Sequence, residues 1–173
     1  MIDTNMINSK QKLTSVNELE RLAIDYPNNV MFGKTDALDS ELEQNTIVNA
    51  ARLSKSANLI EYHGVGIVDH SRVGHSVVGT DKDDREFGEI LTILFERKPR
   101  NEYTKNEVKD ASHVHTAIRY SANYFITKDK ILLGKPQQIK DRFNNVLICS
   151  SDECIKLVLA RLEVLRENGR IRQ

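Results

Sequence analysis

Residues 104–129 read TKNEVKDASHVHTAIRYSANYFITKD. Val108, Ala111, Val114, His115, Ile118 and Ala122 recur at helical spacing and predict one buried helix face, capped by Thr104 or Asn106. Tyr124-Phe125-Ile126 follows as a short strand, and Thr127 and Asp129 lie just past its end. A helix feeding an apolar strand is half of a βαβ unit. The same alternation runs through the rest of the chain.

Upstream, Met1 to Ile7 reads as a short strand running into a loop. Thr14 or Ser15 caps a first helix, with Glu18 at capping-box spacing from Ser15. Val16, Leu19, Leu22 and Ala23 form its apolar face. Val30-Met31-Phe32 reads as a buried strand, and a second helix is expected from Asp36 to about Leu53. Residues 58–80 mix glycines with Tyr62, Val65, Ile67, Val68, Val73, Val77 and Val78, and predict an inserted β-hairpin turning near Asp69-His70-Ser71. A helix follows from about Asp81 to Arg97, stopped by Pro99. Downstream come a loop and short helix over 131–143, a strand over 145–149, and a final helix capped by Ser150 or Ser151 and closed by Asn168-Gly169. Strands alternating with helices define an α/β fold: a parallel twisted sheet with helices on both faces, in one domain spanning 1–173.

In such a sheet, ligands gather beyond the carboxyl ends of the strands. Asp3 follows the first strand, Asp129 follows the strand 124–126, and Asp110 is expected in the first turn of the helix between them, where free amides favour its ionised form. Converging carboxylates repel one another unless a cation sits among them. These acids therefore point to a hard metal site. Thr127 is placed to bond a neighbouring carboxylate or a phosphate.

Asp3-Thr4-Asn5, the helix segment from Asp110 through His113 to Ala117, and Phe125-Ile126-Thr127-Lys128-Asp129 together resemble the PIN-domain nucleases, over roughly residues 1–50 and 101–160. These enzymes are related in fold to 5′-nucleases, and many are ribonucleases, including toxins of toxin–antitoxin pairs. The resemblance implies a metal-dependent endoribonuclease that uses Mg2+ or Mn2+ and leaves a 5′-phosphate. It implies Asp3, Asp110 and Asp129 as catalytic metal ligands, with Asn5 and Thr127 orienting them. It also implies a further catalytic acid on an early helix. Glu41 fits best because Leu42 follows it; Asp39 and Glu43 remain open. RNA is the implied partner, with an antitoxin protein or a second copy of the chain as further candidates, in the cytoplasm. The competing function is a non-catalytic PIN-like module that binds RNA or protein. Two departures stand out. Only Met1 and Ile2 precede Asp3, so the first strand is short or continues upstream. The segment 58–80 is an insertion relative to compact members of the family.

The bulk properties narrow the partners. The formal net charge is +0, so any nucleic-acid surface has to be local. Arg97, Lys98, Arg100, Lys105 and Lys109 gather just before Asp110, and Arg161, Arg166, Arg170 and Arg172 decorate the last helix. They read as solvated helix faces balanced by acids, or as a phosphate track into the site. The chain has no Trp, which argues against a base-stacking platform. Cys149 and Cys154 read as reduced core thiols. His113 and His115 sit two apart on a helix and so point apart, which argues against a shared metal. His113, one turn after Asp110, falls near the acids. No apolar run reaches the roughly 18 residues of a membrane span.

Overall fold

A computed structural model of the chain describes residues 1–7, 14–35, 59–67, 76–144 and 146–171. Four short strands, β1 (Gly33–Thr35), β2 (Ile60–Tyr62), β3 (Tyr124–Ile126) and β4 (Leu147–Cys149), form two parallel pairs, β1 with β2 and β3 with β4. Ile2 joins them. It bridges Lys34 on one side and Ile126 on the other, both in parallel. Ile2 N donates to Gly33 O, Asp3 N to Ile126 O, and Ile126 N to Met1 O. The order across the array is β2, β1, Ile2, β3, β4. Every carboxyl end therefore lies at the same edge.

Alternation along the strands divides the core, because successive side chains of a strand face opposite sides. Phe125 and Ile148 join one apolar cluster, and Ile2, Ile126 and Cys149 join the other. The first cluster is completed by α2 (Asp81–Phe95), α3 (Lys105–Arg119) and α5 (Pro136–Phe143), through Phe87, Ile90, Val114 and Ile139. The second is completed by α1 (Thr14–Asp25) and α6 (Ser151–Glu167), through Leu19, Leu22, Val158 and Leu162. A short helix, α4 (Lys130–Leu133), follows β3. The architecture is mixed α/β, with helices packed on both faces of short parallel strands. Among the described residues no helix is long and apolar enough to cross a membrane.

Local chemistry explains most element boundaries. Thr80 and Thr104 cap α2 and α3, and each forms a reciprocal capping box, with Asp83 and Glu107 respectively. Ser150 caps α6, and Gly169 takes the left-handed conformation (φ +67) just after it. Cys149 and Cys154 are free and buried, as read.

Several expectations are corrected. Val30-Met31-Phe32 precedes the strand, which begins at Gly33; Gly33 packs closely enough that a Cβ there would lie 2.5 Å from Tyr62 Cε2. Glu18 does not form a capping box with Ser15 but pairs with Arg21 one turn on. Ser15 instead hydrogen-bonds Ser151 across the α1–α6 contact at 2.7 Å.

The inserted hairpin at 58–80 is also corrected within its described part. Ile60–Tyr62 is the edge strand of the parallel array, and the Val65–Val77 bridge is parallel too, whereas a hairpin needs antiparallel partners. Alternating valines and glycines signal extended chain, but that pattern does not distinguish parallel from antiparallel pairing. The expected turn at 69–71 and the helix expected over 36–53 lie outside the described residues.

Candidate functional site

The carboxyl edge of the array gathers polar side chains into one hydrogen-bonded set. Asp3 leaves the central position right after Ile2 and is 4% exposed. Its Oδ2 accepts from Thr127 Oγ1 at 2.6 Å and from Asn5 Nδ2 at 2.6 Å. Asn5 sits on the 3-10 turn Thr4–Met6, which folds its amide back over the strand end. That amide also reaches Thr127 Oγ1 at 3.1 Å, while its oxygen accepts from Lys128 N at 3.2 Å. Thr127 Oγ1 in turn accepts from Asp129 N at 2.9 Å. One buried hydroxyl thus links Asp3, Asn5 and Asp129.

Behind Asp3, β1 and α3 contribute one buried side chain each. Thr35, the last residue of β1, shares a very short hydrogen bond with His113 Nδ1. His113 Nε2 lies 3.9 Å from Asp3 Oδ1. The imidazole is fully buried, so it packs behind Asp3 and is out of reach of substrate.

Asp110 lies one turn before His113 on α3 and is half-buried. Residues three apart on a helix are neighbours, with Cβ atoms about 5–6 Å apart. Asp110 therefore flanks the side of α3 that meets Asp3. The helix begins at Lys105 and Glu107 takes its first turn, so Asp110 falls a turn later than expected. Glu41, Asp39 and Glu43 lie outside the described residues.

Asp129 has two duties. Its Oδ1 accepts from Ile131 N at 2.7 Å and Leu132 N at 3.2 Å, capping α4. Among the described residues its Oδ2 accepts no hydrogen bond, and neither does Asp3 Oδ1. Oxygen donors of this kind suit Mg2+ or Mn2+ rather than a softer ion. Asp3 and Asp129 are thus linked through Thr127, while among the described residues the ligand atoms of Asp3, Asp110 and Asp129 do not gather within 4.8 Å of one another.

Of the basic residues before Asp110, two are already paired. Lys98 Nζ bonds both Glu107 oxygens at 2.9 Å, and Arg100 binds Asp84 at 2.6 Å. Lys128 and Lys130, next to Asp129, are exposed.

A separate cluster was missed in the sequence. His115, two residues past His113, points to the other side of α3 and meets α2 there. Its Nε2 lies 3.7 Å from Asp83 Oδ1 and 3.9 Å from Glu86 Oε2. Burial pushes the His115 imidazole below its usual pKa, against the pull of the Asp83 and Glu86 carboxylates. Burial works against ionisation of Asp83, yet hydrogen bonds from Thr80 and Arg119 hold its carboxyl well below the usual range. The i, i+2 spacing of the histidines correctly separates them, but it says nothing of acids arriving from another helix.

No family model, curated protein or solved structure matches the chain.

Proposed function

We propose that this chain is a metal-dependent endoribonuclease of the PIN type, hydrolysing RNA phosphodiester bonds. The observation that carries the reading is the Asp3–Asn5–Thr127–Asp129 set at the carboxyl ends of adjacent parallel strands. Buried acids are costly to desolvate unless fixed donors and a cation offset their charge. Thr127 and Asn5 supply the donors, both to Asp3 Oδ2, and leave Oδ1 without a hydrogen bond among the described residues. Asp129 is anchored through α4, which fixes its remaining oxygen. Asp110 completes the acid set from α3, and Glu41 is the proposed further acid.

Asp3, Asp129 and Asp110 would hold the Mg2+ or Mn2+, which would supply activation of the attacking water and charge neutralisation at the phosphate. The protein orients the phosphate and keeps the carboxylates from collapsing onto each other. Lys128 and Lys130 stand where an approaching RNA backbone would pass. Within this reading the chain acts as the toxin of a toxin–antitoxin pair or in RNA processing. A small antitoxin co-purifying with it distinguishes the first from the second.

One observation favours a second reading. Asp129 Oδ1 is consumed in capping α4, as in a non-catalytic PIN-like module whose acids serve the fold. Cleavage of a labelled single-stranded RNA in Mn2+ decides between them. The nuclease reading expects cleavage by the wild type, its abolition by chelator, and its loss in Asp110→Asn at unchanged melting temperature. Equal cleavage by Asp110→Asn refutes the assignment.

A further inference from the structure

We propose that Asp83, Glu86 and His115 form a second divalent-cation site, on the α2–α3 contact, that takes a zinc-class ion in preference to Mg2+. The three ligand atoms lie within 4.8 Å of one another. Independently of that cluster, His115 Nε2 is buried and has no hydrogen-bond partner, in a residue 2% exposed and aimed between the two carboxylates. A buried polar atom left unpaired in a folded core calls for an explanation, and an ion is one of the few that supply it. Glu86 Oε2 and Asp83 Oδ1 are the atoms it faces.

The donor chemistry sets the class of ion. One imidazole nitrogen with two carboxylate oxygens suits zinc and its transition-metal neighbours, whereas Mg2+ sites are built from oxygen. Ligands at about 2.0–2.1 Å and tetrahedral angles lie roughly 3.3 Å apart. The observed 3.7 and 3.9 Å require the carboxylates to close on the imidazole by roughly half an ångström. A pocket of about 550 Å3 reaches Asp83 and His115 from the side of Phe87 and Arg100. It gives entry to the ion and room for the solvent ligand that a three-ligand zinc site keeps.

The other contacts of these side chains are compatible with that role. Asp83 Oδ2 is held by Thr80 N at 2.8 Å and Thr80 Oγ1 at 2.7 Å, which fixes the carboxylate as an outer partner fixes a ligand. Arg119 bonds Asp83 Oδ1 and supplies the local positive charge in this structure. Its side chain is 30% exposed and has solvent to move into. Lys82 lies 3.6 Å from Glu86 Oε1, the oxygen turned away from His115. Arg119 therefore competes with the ion for one atom, and removing it should tighten binding.

The test is calorimetric titration of the chelator-treated full chain with Zn2+ alone, repeated in excess Mg2+ to fill the acid edge. The proposal expects one equivalent of Zn2+ that excess Mg2+ does not displace. It expects affinity about tenfold or more weaker in Glu86→Gln, stronger in Arg119→Ala, and unchanged in Asp3→Asn. Glu86 is partly exposed, so its substitution tests the site without endangering the fold. His115→Gln, where it folds, should behave as Glu86→Gln does. No zinc binding by the wild type, or equal binding by Glu86→Gln, overturns the proposal. Retention in Asp3→Asn keeps this outcome separate from the fate of the nuclease reading.

Discussion

Thr127 Oγ1 donates to Asp3 Oδ2 and accepts from both Asn5 Nδ2 and Asp129 N. A hydroxyl can do both, and a methyl can do neither. Thr127→Val keeps the branched shape and leaves a buried carboxylate short of a donor. The expected loss is about 1–3 kcal/mol in urea unfolding, with Mn2+ affinity weaker by about 10–100-fold in titration, as for other partners that orient metal ligands. The placement of Asp3, Thr127 and Asp129 was legible in the sequence because each follows a strand by one to three residues, whereas Asn5 entered only through the family resemblance. The helix cap made by Asp129 was not legible, since α4 has only four residues and no helical periodicity to announce it. The role of His113 was half legible: its nearness to the acids followed from helix spacing, but its burial depended on Thr35, a residue 78 positions away.

At the scale of elements, α3 carries both Asp110 and His113, so its first turn matters to the site. Thr104→Ala removes the cap and should cost about 1 kcal/mol in thermal or urea unfolding. Glu107 completes that capping box. The Thr104 backbone N–H and the Lys98 ammonium hold its carboxyl below the usual range against the cost of desolvation. A depressed folded pKa means a contribution present at neutral pH and lost as pH falls through the folded value, below the ordinary glutamate value of about 4.3. Glu107→Gln should therefore lower stability at pH 7 and flatten its decline on acidification, as read by melting temperature against pH. Gly33 ties β1 to the edge strand. An added Cβ would lie 2.6 Å from Ile60 O, a backbone atom that cannot swing aside. Gly33→Ala should cost about 1–3 kcal/mol, as overpacking does. The edge strand itself was misread as half of a hairpin. Its partner, β1, lies far away in sequence, and local pattern carries no information about that distance.

Across the whole molecule, the alternation of strands and helices was enough to foresee a parallel array covered on both faces. The order β2, β1, Ile2, β3, β4 was not legible, because a single bridging residue, Ile2, has no strand-length pattern. With net charge +0, RNA affinity has to come from a local patch. Lys98 and Arg100 are committed to Glu107 and Asp84, which leaves the exposed Lys128 and Lys130 as the better candidates. The double variant Lys128→Ala, Lys130→Ala should weaken RNA binding at unchanged melting temperature. It should also reduce the salt slope by about 0.7 per lost phosphate contact, read from binding isotherms at several salt concentrations. The central claim is that the carboxylates at the shared edge of the sheet hold one hard cation. Anomalous diffraction from a crystal of the chain soaked in Mn2+ tests it most directly. A Mn2+ peak coordinated by Asp3 Oδ1 and Asp129 Oδ2, beside Asp110, is the predicted result. A map with no Mn2+ at that edge, or with Mn2+ only beside Asp83, would contradict the account.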